Sequence, residues 1–469
     1  MGKKTFSKII AIIVVSIGIG SVVGTLATRQ YYKNKMLHEK VSYNPDNMPD
    51  KTDVKLDSTN LPIVLINTKG EHVKRDEFIT AQMTIIDNGE ELRNYSDTVK
   101  HPDQIIDYEG LIALRYRGQS SYVISPKKAY AIRALDKPLA EGGKKKKSKL
   151  LGMRKGKKWA LNHVRIDRSM IRDALSYELA RPYMEFVPQV RFCEVIVDGI
   201  YRGIYLLSEQ ITADRLKLDK PGENGDSITG GYILEIDKRN KGGAYLSKHW
   251  KFGYKFEYPD SNKLSSHQKA YIGDLMDEIE NSLINKKWQK LEKLIDIQSM
   301  IDYQLISEFC CNYDSYELST YLYKRRNDDD GRIRFSLWDL DLTYGNNRLL
   351  PNEWVYNGVL KHWWSTAMEE TTYAEKFRQR WKLYRETTCS DEHIEHVIDS
   401  LTTLLTICGA EKRNSEAWMI WDNHGDWRGP KRIACEKYMS VSYEDEIEFL
   451  KEWIRKRLKW MDLEQKLRP

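Results

Sequence analysis

The period of the apolar pattern changes once along this chain, and that change constrains the fold more than any other feature. From Leu61 to about Asp237 the apolar residues alternate or run in short blocks: LPIVLINT, AQMTIID, LIALRYRG, AYAIRAL, KWALN, FCEVIVDG, YRGIYLLSEQI and YILEID. Short blocks of this kind bounded by polar turns are strand signals. One helix interrupts them, opened by Asp167-Arg-Ser as a cap, with Met170, Ile171, Ala174, Leu175 and Leu179 at helical spacing before Arg181-Pro182. From Ser265 the spacing becomes that of long amphipathic helices: roughly 265–296, 297–311, and a series after Thr372 ending in EDEIEFLKEWIRKRLKWMDL. Between them lies one extended pair, STYLYKRR and RIRFSLWDLD, joined by a polar turn from Asn327 to Gly331. A mostly antiparallel β half followed by a mostly helical half predicts an α+β, two-lobed arrangement, and the join between such halves is a natural place for a ligand.

A second feature stands apart from this pattern. Residues 9–28, IIAIIVVSIGIGSVVGTLAT, hold no charge, and twenty helical residues at about 1.5 Å each match a bilayer core of about 30 Å. The stretch predicts a transmembrane anchor over 9–28, behind a basic flank at 1–8 and ahead of a polar stalk at 29–60. A signal peptide is the rival reading, with Thr25-Leu-Ala27 a poor cleavage site. A mean hydropathy of -0.62 excludes a polytopic membrane protein. Lys and Arg exceed Asp and Glu by +7, too little for a nucleic-acid footprint unless clustered. The one dense run, Lys144 to Lys147 after Gly142 and Gly143, reads as a solvated loop in preference to a site for acidic substrate or anionic lipid. The six cysteines show no CxxC and no regular spacing, which argues against a disulfide framework and leaves the compartment open.

The strongest chemical signal is Leu337-Trp338-Asp339-Leu340-Asp341, with Gly345 close behind. Extended residues two apart face the same side, so Asp339 and Asp341 can present two carboxylates together, donors that suit Mg²⁺ or Mn²⁺. Some 25 residues upstream, Asn312-Tyr313-Asp314-Ser315 ends an apolar helix, where a carboxylate could orient or deprotonate a nucleophile. In the β half, Arg117-Gly-Gln-Ser120-Ser121 precedes Pro126-Lys127-Lys128. A hairpin of this make could admit phosphate, with a lysine to neutralise it, although it matches neither a Walker A nor a GxGxxG loop. His393 and His396 read as a solvated helix face without a third ligand. Trp354, Trp363 and Trp364 read as packing before an aromatic platform.

Taken in order, RGQSS, PKKAYAIRA, KWALNHVRIDRSMIRDALSYELA, VDGIYRGIYLLSEQI, GGYILEIDK, FEYPD, NYDS, STYLYK, LWDLDLTYG and EWIRKRLKWM resemble the spore-coat protein H (CotH) kinase family from about residue 61 to 463. The resemblance implies a divergent protein-kinase-like fold, with a β-rich lobe at about 61–210, a helical lobe at about 211–463 and a short tail at 464–469. It implies an atypical kinase that phosphorylates Ser or Thr hydroxyls of envelope or coat-type proteins, using ATP and Mg²⁺ or Mn²⁺, with no nucleic-acid partner. By position Asp339, with Asp341, would hold metal, Asp314 would be the catalytic-loop aspartate, and Lys128, or less surely Lys127, would bind phosphate. Arg117, Ser120 and Ser121 would border the nucleotide, and Leu206-Leu-Ser-Glu209-Gln would resemble the inter-lobe connection that holds adenine. Glu178 would be a partner for the lysine, although Arg172-Asp173 fits the family pattern better. Where relatives often carry Asn, this chain has Ser319-Thr320, which bears on the number of metals. Family habit places the domain outside the cytoplasm, anchored in the cell membrane. Other nucleotide chemistry, such as AMP transfer or amino-acid ligation, and a non-catalytic surface module are the alternatives.

Overall fold

Alternation governs the first half. Val64 and Ile66, Ala81 to Ile85 at every second residue, Ile112, Leu114 and Tyr116, Tyr130 and Ile132, Trp159 and Leu161, Cys193 to Val197 at every second residue, and Tyr205 and Leu207 form one buried cluster. A period of two turns one face of each strand to a common interior. The computed structural model describes residues 52–89, 92–237, 244–347, 349–358, 362–421 and 440–467. In it these residues lie on β1 (Ile63–Asn67), β2 (Ile79–Ile86), β3 (Ile106–Arg117), β4 (Ala129–Ala134), β5 (Trp159–Asn162), β6 (Val190–Val197) and β7 (Ile200–Glu209). They close into a barrel in the order β1-β2-β3-β4-β5-β7-β6. Only the closing pair is parallel, with Ile63 opposite Glu194 and Ile66 opposite Val197. Closure leaves these strands no open edge.

After the barrel the chain forms a five-stranded sheet of β8 (Tyr232–Asp237), β9 (Tyr245–Leu246), β10 (Gly253–Tyr258), β11 (Thr320–Lys324) and β12 (Arg334–Ser336), in the order β9-β10-β8-β11-β12. The helices are α1 (Ser120–Ile124), α2 (Arg172–Ala180), α3 (Ser266–Ile284), α4 (Trp288–Leu294), α5 (Ile297–Phe309), α6 (Trp363–Ala367), α7 (Thr371–Arg385), α8 (Asp391–Thr406), α9 (Ala410–Trp418) and α10 (Tyr443–Leu467). Ser265 starts α3 with a capping box, its hydroxyl accepting from the Gln268 N–H while the Gln268 side chain returns to the Ser265 N–H. The sheet and most of the helices share one large core with α2, in which Trp363 and Trp364 are fully buried. A smaller cluster containing Ala160, Phe186, Ile211, Ile233, Tyr323 and Trp338 seals the outer wall of the barrel against the second sheet.

Helix α9 corks the barrel. Trp418 belongs to the barrel's apolar cluster, and its indole N–H donates to the Arg202 carbonyl at 3.0 Å. Asn414 Oδ1 accepts from the Ile204 N–H at 3.0 Å and from Lys127 Nζ at 2.7 Å, while Arg413 pairs with the buried Glu194 at 2.7 Å.

Several expectations are corrected here. The α+β, two-lobed kinase-like fold with a membrane helix in front gives way to a closed seven-stranded barrel, followed by a part that mixes a second sheet with helices. The closing pair joins strands some 130 residues apart, which local periodicity cannot register. Among the described residues no helix is long and apolar enough to cross a membrane, and residues 9–28 lie outside them. The single-pass anchor and the cell-membrane location are therefore not carried further. The RGQSS turn is not a plain hairpin, since Ser120 and Ser121 open α1. The lysine run is exposed, as a solvated loop should be, and its backbone is in addition tied to residues 134–136. The Lys146 N–H donates to the Ala134 carbonyl at 3.0 Å, the Asp136 N–H donates to the Lys144 carbonyl at 3.1 Å, and Lys145 bridges Leu135 in antiparallel register.

Candidate functional site

The strand β12 ends at Ser336, and two residues later the chain turns sharply. Asp339 has φ +62°, in the left-handed region that Asp tolerates better than most residues. Its carboxyl is open to solvent although protein crowds it on several sides, which places it in a cleft. Ser319, Tyr344 and Cys311 also have positive φ. Such strained positions gather where a site overrides local preference.

Polar side chains stitch three loops together around this point. Asn346 Nδ2 donates to the Asp341 carbonyl at 2.8 Å and to the Ile166 carbonyl at 3.1 Å. Asn347 Nδ2 donates to the carbonyls of Leu342 at 2.7 Å and Cys311 at 2.9 Å. The Tyr344 N–H reaches the Cys310 carbonyl at 2.7 Å. The segment after Asp339 is thereby fixed to the loop that carries Asp314 and to the loop before α2. Gly345, at φ +78°, leaves room for Trp453, whose Cδ1 a side chain here would meet at 2.6 Å.

Helix α2 supplies the next carboxylate. Asp173, in its first turn, accepts from the Leu340 N–H at 2.7 Å. Burial, and then Asp339, push Asp173 up to about 7. Asp341 lies well above its ordinary range through burial and the neighbouring Asp339, Asp173, Asp314 and Asp167. Crowding raises Asp339 as well, opposed chiefly by Arg117, and its contact with solvent screens part of that rise. The cleft is thus a place where negative charge is held together at a cost. Arg172, beneath it, is fully buried between Asp167 and Glu446, 3.0 Å away, and donates to the Thr343 carbonyl at 3.1 Å.

Arg117 brings the opposing charge. It ends β3 on the outer wall of the barrel, donates to Asn162 Oδ1, and lays its guanidinium over the Trp338 ring at 5.2 Å. It acts electrostatically on both Asp339 and Asp173. The structure therefore brings together Arg117, Asp314, Asp339 and Asp341 from the sequence-predicted set, and adds Asp173, Asn162, Asn346 and Asn347. The Arg172-Asp173 pair was the visible signal for one of these; the asparagines gave none, because Asn346 and Asn347 hold backbone carbonyls and Asn162 accepts from a side chain 45 residues away.

The remaining residues of that set lie elsewhere. Lys127 is fully buried, bonded to Asn414 and to the Ile204 carbonyl, and burial holds it well below the ordinary lysine range. Lys128 Nζ donates to the carbonyls of Tyr122 at 2.6 Å and Ser125 at 2.9 Å, and so fastens the loop around α1. Glu209 is buried at the end of β7, paired with Arg154 at 2.6 Å. The backbone of residues 206–209 is paired on both sides by β5 and β6, and offers no free edge to adenine. Glu178 is exposed and faces Arg181 at 3.4 Å. His393 and His396 stand on α8.

The carboxylates are hard oxygen donors whose mutual repulsion a divalent ion would relieve. Among the described residues no three His, Cys, Asp or Glu side chains converge into a ready cage.

Aspartates with a guanidinium among them, set beside a β-rich scaffold, are the features to compare with known families. The chain belongs to the CotH kinase protein family, whose model matches residues 114–461. The match spans every residue of the cleft named above. No curated protein matches the chain.

Proposed function

We propose that this protein transfers the γ-phosphate of ATP, in the presence of Mg²⁺ or Mn²⁺, to Ser or Thr hydroxyls of an envelope or coat-type protein. The observation that supports this most is that Asp339, Asp173 and Asp314 all act electrostatically on Asp341, while Arg117 acts on Asp339 and Asp173. When bound, the nucleotide supplies the phosphoryl group and the ion shields its charge. Asp339 and Asp341 would hold the ion. Arg117, aligned by Asn162 and Trp338, neutralises phosphate oxygens, a task its guanidinium suits and which Lys128 is not placed to perform. Asp314 orients the acceptor hydroxyl and takes its proton. Asp173 fixes the backbone at Leu340, and with it the direction of Asp339.

The test is transfer of labelled γ-phosphate from ATP to protein acceptors by the full chain. The expected result is a product heavier by one phosphate, with Asp339→Asn and Arg117→Ala each slower by about 10²-fold or more. A product heavier by AMP would replace phosphoryl transfer with nucleotidyl transfer. Unchanged turnover in both variants would overturn the site.

A further inference from the structure

One charged surface takes no part in the cleft. The wall of the barrel that ends at Arg117 continues along β4: Ala129 pairs with Arg117, and Arg133 lies four residues further on, about 13 Å away at about 3.3 Å per residue. Arg133 points outward, since Ile132 and Ala134 belong to the interior cluster. Its guanidinium is held over the Phe78 ring at 3.9 Å. Beside it runs the lysine segment, whose backbone is tied to residues 134–136 and, through Ser148 and Gly156, to the turn that carries Lys157 and Lys158.

Lys145 is thereby fixed among Arg133, Lys157, Lys158 and Lys263, and packing together with these four cations pushes it down to about 8. Lys144, Lys145, Lys146, Lys147, Lys157 and Lys263 are exposed. None of them forms an ion pair with a described carboxylate. Glu257, Asp214 and Asp260 act on Lys158 without forming an ion pair with it, and Glu257 is itself paired with Lys255. Loose lysines would spread apart to lower their repulsion, but these are held together by backbone hydrogen bonds. That cost is repaid only when an anion binds.

The surroundings narrow the choice of anion. No large exposed apolar side chain lies between residues 133 and 158 or at 263, so the patch offers a bilayer no wedge. Trp159 is fully buried, and the half-buried Phe78 ring is covered by the Arg133 guanidinium, which leaves nucleic-acid bases no open aromatic platform. An extended chain bearing several compact dianions fits the fixed cations best.

We propose that Arg133, Lys145, Lys157, Lys158 and Lys263 form a docking surface for a protein segment that already carries phosphoserine, placed so that an acceptor four or more residues away reaches the cleft at Arg117. This rests on the kinase reading above, and makes the enzyme favour substrates it has begun to phosphorylate.

The experiment measures fluorescence anisotropy of the full chain with one labelled peptide in three forms: several phosphoserines, serines, or glutamates in their place. The phosphorylated form is expected to bind at least about tenfold tighter than either other form, and to weaken as salt rises. The Lys145→Glu/Lys147→Glu and Lys157→Glu/Lys263→Glu variants, all at exposed positions, are each expected to lose about tenfold in that affinity. Equal binding of the glutamate form would overturn the proposal in favour of any acidic segment. Binding to phosphatidylserine vesicles that the phosphopeptide does not displace would overturn it in favour of a lipid surface. Undiminished affinity in both variants would remove the patch from consideration. Asp339→Asn separates the two readings: if the wild type transfers no phosphate but both proteins bind the phosphopeptide equally, the docking surface stands and the kinase reading falls.

Discussion

Ile112, Leu114 and Ile132 lie fully buried in the barrel's apolar cluster, while at the end of the same strand as Leu114, Arg117 turns outward toward Asp339 and Asp173. The interior gains stability from each residue it hides, at roughly 25 cal/mol per Å² of apolar surface. The cleft does the reverse, for it gathers carboxylates that repel one another and holds residues at positive φ. One region is built to be stable, and the other is kept in place by it. A site that is costly to assemble is also one whose loss the fold should tolerate, and that asymmetry can be tested from both sides.

The largest effect belongs to the cleft. Asp339→Asn should lower phosphoryl transfer by about 10²–10³-fold while leaving the unfolding midpoint unchanged or higher, because it removes one of the mutually repelling charges. A clear loss of stability by calorimetry would mean that Asp339 is structural and would erase the contrast. Next comes Glu308, which is buried and accepts from Tyr316 Oη at 2.6 Å and from the N–H groups of Val355 at 2.7 Å and Tyr356 at 3.0 Å, beside Arg457. Glu308→Ala strands those donors and a buried guanidinium, and should cost about 3 kcal/mol or more in denaturant unfolding. Ile132→Ala should cost about 2–4 kcal/mol with turnover per folded molecule intact, the mirror image of Asp339→Asn.

The smallest effect is in pH. Asp173 is held up at about 7, so the folded state keeps its proton where the unfolded chain has released it. Its contribution is fully favourable below the unfolded carboxylate value near 4 and is lost as pH rises through about 7. Glu235 and Glu308, also pushed up to about 7, act with the same sign. Asp173→Asn should flatten only its own share of the decline in unfolding free energy between pH 4 and 8. A slope unchanged from wild type would show that Asp173 titrates like an exposed acid.

How much of this was legible in the sequence follows from the range of each interaction. Strands such as AYAIRA and FCEVIV, and the helix beginning at Ser265, announce themselves through periods of two and 3.6 and through a cap, all read within a dozen residues. The carboxylates of WDLD were visible as residue types but not through a period of two, because β12 ends at Ser336 and Asp339 stands at φ +62°. Barrel closure was not readable, because Ile63 meets Glu194 across a long stretch of chain. Nor was the true environment of Lys128: a lysine before a strand looks alike whether its ammonium meets a phosphate or the carbonyls of its own loop. Arg117 faces outward because alternation along β3 puts Leu114 and Tyr116 inside, whereas Lys128 is turned onto the carbonyls of its own loop.

The cork of the barrel carries a consequence for how the protein is made. Synthesis runs from the N-terminus, so the last barrel strand, ending at Glu209, emerges some 200 residues before Arg413, Asn414 and Trp418. Until then Lys127 and Glu194 have no partner from α9, and one mouth of the barrel stands open to water or to a chaperone. Glu446, which meets Arg172 under the cleft, arrives later still. A ribosome stalled before residue 410 would thus display a barrel without its seal and a carboxylate cleft without its underpinning, so that both are complete only once α9 and α10 have emerged.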